Sequence, residues 1–73
     1  MDMREKRKLI FPLADLLEYK VRSCKLTYPI ADQIWRIALK NAEQVGAITA
    51  ILDMELPDEE TLKRVQALID IPQ

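Results

Sequence analysis

The segment ALKNAEQVGAITA, residues 38–50, places a small residue at every fourth position. These residues are Ala38, Ala42, Gly46 and Ala50, and Gly46 is the only glycine in the chain. Such a strip lets a second helix approach closely, as small residues do where helices pack in membranes. Alanine also fills tight places in an ordinary core, and glycine can end a helix in the left-handed conformation. Three interpretations therefore stand: intrachain packing, contact with another chain, and a helix end at Gly46.

The apolar pattern on either side of Gly46 favours a continuous helix through this segment. Large apolar residues recur at helical spacing, namely Ile30, Ile34, Ile37, Val45, Ile48 and Leu52. We therefore predict a central helix at about residues 29–54, which would be about 39 Å long at 1.5 Å per residue. Its apolar surface covers well over half of the helix, which is more than two short helices from the same chain are expected to cover.

The prolines divide the rest of the chain into two flanking helices. Proline is favoured at the first position of a helix, so we predict helices at about 12–25 and 57–70. A helix that continued across Pro12 would lose about 3 kcal/mol. Residues 1–11 are therefore predicted to form a basic N-terminal arm, either a frayed helical turn or an extended segment, and residues 12–73 a single helical domain. The stripe of the first helix includes Cys24, which we expect to be a buried structural thiol.

The fold class that follows is all-α, a three-helix arrangement with a long central helix. No strand pattern, internal repeat or low-complexity run is present. A chain of 73 residues buries only about 60% of its unfolded surface, and small domains usually add a disulfide, a metal or a partner. The single cysteine excludes an intrachain disulfide, and without histidine zinc lacks its usual ligands. We therefore expect self-association to complete the fold.

The sequence argues against catalysis, cofactors and a membrane. Histidine, the commonest general base, is absent, and no glycine-rich phosphate loop or nucleophile elbow is found. The acidic residues near 53–60 lack the spacing of a calcium loop. No stretch of 18 residues is free of charge. We expect a non-enzymatic protein without cofactor, metal or membrane partner, and the lone cysteine suggests the cytoplasm.

The predicted function is protein–protein interaction through the apolar face of the central helix. The residues expected at the interface are Ile34, Trp35, Ile37, Ala38, Ala42 and Gly46. The partner is a second copy, most simply in a homodimer, or a larger protein, and the role is that of an adaptor, an assembly factor or an inhibitor. Charge supports self-pairing, because residues 1–25 carry net +3 and residues 53–73 carry net −4.

A small DNA-binding regulator is the alternative function. The basic arm and a helix-turn-helix-like pair would supply the contacts, through Arg4, Lys6, Arg7, Lys8, Arg36 and Lys40. The net charge of −1 and a turn without glycine make this alternative the weaker one.

Overall fold

The computed structural model of the protein describes residues 3–70. These residues form four α-helices and one 3₁₀ turn: α1 (Met3–Arg22), α2 (Tyr28–Lys40), the 3₁₀ turn (Ala42–Gln44), α3 (Val45–Asp53) and α4 (Asp58–Asp70). No strand occurs among them, so the all-α prediction is confirmed. The described part of the chain does not include residues 1, 2 and 71–73. Pro72, which we predict from the sequence to stop the last helix, is among them.

The first helix begins at Met3 rather than at residue 12. Pro12 lies inside α1, and residues 3–11 are helical rather than an extended arm. Proline removes the N–H that would bond to the Lys8 carbonyl. Both residues are exposed, so water can bind the carbonyl that loses its partner. Ile10 and Leu13, on either side of the proline, are buried, and their packing holds the helix together across Pro12.

The predicted central helix is not continuous, and it is interrupted at Asn41 rather than at Gly46. Asn41 has φ −134° and ψ 55°, outside the helical region. Its side-chain Nδ2 donates a hydrogen bond to the Ile37 carbonyl oxygen at 3.0 Å, which caps the end of α2. Asparagine commonly competes with the helical backbone in this way. The Gln44 N–H then bonds to the Asn41 carbonyl at 2.8 Å and starts the 3₁₀ turn.

This interruption lets one chain cover the apolar surface that seemed too large for it. α2 and α3 both pack on α1 and α4, and their large side chains meet in one core. Twelve hydrophobic residues are buried in that core: Ile10, Leu13, Leu17, Leu26, Ala31, Ile34, Ala38, Ala42, Val45, Ile48, Leu52 and Val65. The radius of gyration is 11.7 Å, close to the about 11 Å expected for a compact domain of this length.

The linker after α1 places Cys24 at the surface, contrary to the prediction of a buried thiol. α1 ends at Arg22, and Cys24 is exposed with φ 60°. The Cys24 N–H bonds to the Val21 carbonyl at 3.1 Å, and the Lys25 N–H bonds to the Lys20 carbonyl at 2.9 Å. This pattern is a Schellman motif, in which the left-handed residue turns its side chain away from the helix stripe.

The last helix agrees closely with the prediction. α4 begins at Asp58 and carries three acidic residues in its first turn, where the helix dipole favours them. Val65 is fully buried, and Arg64 lies 3.9 Å from Glu60, one turn away. None of the helices formed by residues 3–70 combines the length and the apolar character needed to cross a bilayer.

Candidate protein-interaction surface

The six predicted interface residues do not lie together on the surface. Ile34, Ala38 and Ala42 are 0%, 0% and 5% exposed, because the chain's own helices cover them. Trp35 and Ile37 are half-buried at the edge of the core. Only Gly46 is exposed. Half of the predicted set therefore holds the fold together and cannot contact a partner without unfolding.

The strip of small residues is divided by the interruption at Asn41. Ala38 and Ala42 lie in the core, whereas Gly46 and Ala50 lie on the exposed side of α3. A β-carbon placed on Gly46 would meet no atom of another helix within 4 Å in the described structure, so no other helix formed by residues 3–70 packs there. Intrachain packing therefore explains the first half of the strip and leaves the second half uncovered.

A groove lies between α1 and α2. Its volume is about 340 Å³. The residues of α1 and α2 that line it are Ala14, Leu17, Glu18, Val21, Arg22, Tyr28, Ala31, Asp32 and Trp35. The helices lie side by side because the linker between them is only residues 23–27. We call this surface the α1–α2 groove.

The groove has apolar walls and a charged rim. Tyr28 is 71% exposed, and Trp35, two turns further along α2, is half-buried. On the rim, Arg22 contacts Glu18 at 2.6 Å. Arg36, next to the groove, contacts Asp32 at 3.1 Å. Each of these rim charges thus forms an ion pair within its own helix. The groove is left with its aromatic side chains as the groups available for binding.

The apolar wall of α1 continues beyond the groove. Residues at helical spacing form one line along α1, which we call the α1 strip: Met3, Arg7, Phe11, Ala14, Glu18 and Val21. Phe11 is 62% exposed and Met3 is 66% exposed. Because Ala14 lines the groove and Phe11 lies three residues before it, the exposed phenyl ring extends the apolar surface toward the helix N-terminus.

The residues predicted to contact nucleic acid lie on two helices. Arg4, Lys6, Arg7 and Lys8, which we call the basic head, lie in the first two turns of α1. None of the four forms a salt bridge with any residue between 3 and 70. Arg36 and Lys40 lie on α2, where Asp32 neutralises Arg36. Lys40 has no salt bridge among the described residues either, but it is a single charge, whereas the basic head gathers four such residues within two turns.

A second, more polar pocket of about 250 Å³ lies where the two linkers meet. It contains two buried residues that the sequence analysis did not place in the core, Lys20 at 7% and Thr61 at 2% exposure. The Thr61 hydroxyl donates to the Leu56 carbonyl at 3.2 Å. Both residues lie at helical spacing from buried ones, Lys20 three after Leu17 and Thr61 four before Val65. Their polar groups hide this signal, because a lysine stem and a threonine methyl pack as apolar groups only once the linkers close over them.

An ion pair joins the two linkers at the edge of this pocket. Lys25 Nζ donates to Glu55 Oε1 at 3.1 Å. The hydrogen bond and the attraction to Glu55 raise the pKa of Lys25, and the same contact lowers the pKa of Glu55. Close by, the Thr27 N–H bonds to Asp58 Oδ2 at 2.9 Å. These contacts fasten the start of α4 to the start of α2.

The described residues contain no group of three or more acidic or cysteine side chains arranged to hold a metal ion. No known protein family, no curated protein and no solved structure matches this chain. The surface must therefore be interpreted from its own chemistry.

Proposed function

We propose that this protein is a small non-enzymatic interaction module that pairs with a second copy of itself through the α1–α2 groove. One observation carries the proposal: Tyr28 and Trp35 line one open, mostly apolar groove, and the exposed ring of Phe11 lies three residues before Ala14 of its wall. Single exposed apolar residues are ordinary, but a contiguous apolar patch usually marks a binding surface. Tyrosine and tryptophan are also the residues that most often dominate binding energy at interfaces.

A second copy suits this surface better than an unrelated partner because the chain is complementary to itself. Its first 25 residues carry net +3 and its last 21 carry net −4. The rim of the groove is balanced by its two ion pairs, so a second groove can approach without repulsion. A twofold dimer would bury the same patch on both copies, which is the commonest arrangement of oligomers.

Other features of the chain support the non-enzymatic and cytoplasmic parts of the proposal. No histidine is present to act as a general base. The only cysteine is exposed and has no intrachain partner, which suits a reducing compartment such as the cytoplasm. An adaptor, an assembly factor and an inhibitor would each use such a paired surface.

The experiment uses the only tryptophan of the chain as a reporter of the groove. We expect sedimentation velocity to show a dimer at micromolar concentration. Dilution should then shift the Trp35 emission to longer wavelength as water enters the groove. Tyr28→Ala should weaken dimerisation about fivefold or more, since truncation of an interface anchor costs more than about 1 kcal/mol.

Tyr19→Ala is the matched control, because Tyr19 is 59% exposed and does not line the groove. It should leave the dimer affinity unchanged. A protein that sediments as a monomer throughout the micromolar range, with Trp35 emission independent of concentration, would contradict the proposal.

Nucleic-acid binding is the second candidate, favoured by the four basic residues of the basic head that have no salt bridge within residues 3–70. Titration against random duplex DNA at low and moderate salt tests it, because phosphate contacts weaken steeply as salt rises. Absence of salt-sensitive binding would remove this candidate.

A further inference from the structure

We infer that the basic head of each copy docks against an acidic corner of the other copy, formed by Asp53 and Glu59 around Met54. This inference rests on the proposed self-pairing and adds the contact that orients the two copies. The two arginines of the basic head are exposed, as are Asp53 and Glu59 of the acidic corner, and the two surfaces have opposite charge. An exposed methionine lies beside each surface, Met3 next to Arg4 and Met54 next to Asp53.

The basic head is positioned as a continuation of the groove. Arg7 lies on the α1 strip, one turn before Phe11, and Arg4 lies beside it near the start of the helix. A partner that covers Phe11 therefore comes within reach of these two arginines. Such a partner must carry carboxylates at that end, because two desolvated arginines without counter-charges would weaken the complex.

The acidic corner is the part of this chain that supplies such carboxylates. α3 ends at Asp53 and α4 begins at Asp58, so the corner projects where the two helices meet. Asp53 and Glu59 are exposed and form no salt bridge within residues 3–70. Met54, which is 52% exposed, adds an apolar contact between them.

The chain does not satisfy this attraction internally. No salt bridge joins residues 3–8 to residues 53–60 in the described structure, although the two segments have opposite charge. A second copy can satisfy it twice, because a twofold axis that brings one basic head to one acidic corner brings the other pair together as well.

A charge-swap experiment tests the contact between copies. The head variant carries Arg4→Glu and Arg7→Glu, and the corner variant carries Asp53→Lys and Glu59→Lys. Each variant alone repels itself at both contacts, so each should dimerise about tenfold more weakly than the unmodified protein. Mixed in equal amounts, the two variants present opposite charges at both contacts and should form a heterodimer with an affinity close to that of the unmodified protein.

The matched control compares single reversals. Arg7→Glu should weaken dimerisation, whereas Lys63→Glu, with the same change of charge on the exposed side of α4, should not. Thermal unfolding followed by circular dichroism verifies that each variant is folded.

Three results would overturn the inference. If the dimer persists and neither variant weakens it, the docking contact is wrong while the proposed self-pairing stands. If the mixture of head and corner variants does not restore the affinity, the docking contact is likewise wrong while the proposed self-pairing stands. The third result is an unmodified protein that sediments as a monomer at every concentration, in which case the inference and the proposed self-pairing are both wrong. If the head variant of that monomer then loses DNA binding, the partner of the basic head is nucleic acid.

Discussion

Two regions of the molecule treat helix-breaking residues in opposite ways. α1 continues through Pro12, the strongest helix breaker, whereas the α2–α3 segment is interrupted at Asn41, a residue of only moderate helix propensity. Gly46, the other weak helix former of that segment, lies inside α3 without ending it. Local helix propensity therefore predicts the wrong helix ends in both regions. Tertiary contacts determine where each helix continues and where it ends.

Pro12 and Asn41 differ in the packing that surrounds them. Pro12 loses one backbone hydrogen bond on the exposed side of α1, while Ile10 and Leu13 pack into the core on the other side. At Asn41 the chain must turn so that Ala42 and Val45 reach the same core as Ile34. Asparagine bonds its side chain to the Ile37 carbonyl and so stabilises the end of α2.

The largest test of this comparison is Ile10→Ala. Ile10 is 5% exposed and connects the turns before Pro12 to the core. Removing its buried methyl groups should lower the free energy of unfolding by about 2–5 kcal/mol. Urea denaturation measures the loss. Leu9→Ala, at a neighbouring position that is 41% exposed, should cost less than about 1 kcal/mol. Equal effects at the two positions would show that Ile10 does not anchor the helix.

Pro12→Ala is the next largest test, and it should stabilise the protein. The substitution restores the hydrogen bond to the Lys8 carbonyl and relieves the clash of the ring, worth up to about 3 kcal/mol in a helix interior. Thermal and urea unfolding should both shift upward. Destabilisation instead would mean that the proline ring or a local bend at Pro12 is itself needed for packing.

Asn41→Ala should destabilise the protein by about 1 kcal/mol, because it removes the side-chain hydrogen bond to Ile37. Far-ultraviolet circular dichroism should show unchanged helix content, since packing of Ala42 and Val45 maintains the turn. A more stable and more helical variant would show that Asn41, rather than the core, causes the interruption.

Gly46→Ala should have a smaller effect of opposite sign. Gly46 lies in the first turn of α3, and an added β-carbon meets no atom within 4 Å. Alanine should therefore raise the free energy of unfolding by about 0.5–1 kcal/mol. Loss of stability in urea denaturation would place Gly46 in a strained or covered position.

The smallest effect concerns the linkers that fasten the two regions to each other. The pKa of Glu55 is lowered below 4.5 and that of Lys25 is raised above 10.5 by their contact. The pair therefore stabilises the fold above the unfolded pKa of Glu55 and below that of Lys25, and its contribution is lost as pH falls through the lowered value.

Lys25→Met should consequently lower stability slightly at neutral pH, and the difference from the unmodified protein should shrink in acid. The free energy of unfolding measured across pH 2–8 tests this. Lys63→Met, whose lysine has no salt bridge within residues 3–70, should show no such pH-dependent difference.

The sequence predicts features that neighbouring residues encode better than features that depend on contacts between distant residues. α4 was predicted well because its start is encoded locally, by Pro57 and three acidic residues in the first turn. The interface set was predicted less well. Ile34 and Trp35 lie on one apolar face in the sequence, and only packing buries the first and leaves the second beside the groove. Tyr28, Asp32 and Trp35 lie at helical spacing on α2, but nothing in their local sequence indicates that this side meets α1 at an open groove.

The sequence by itself determined that this protein is all-α, where α2 begins, where α3 ends, where α4 lies and how charge is distributed along the chain. These properties depend on residues within one or two turns of each other. Tertiary structure alone decided that α1 crosses Pro12, that α2 ends at Asn41 and that the α1–α2 groove stays open. Each of those outcomes depends on which side chains share a core, and neighbours that are distant in sequence set the free energy of that choice.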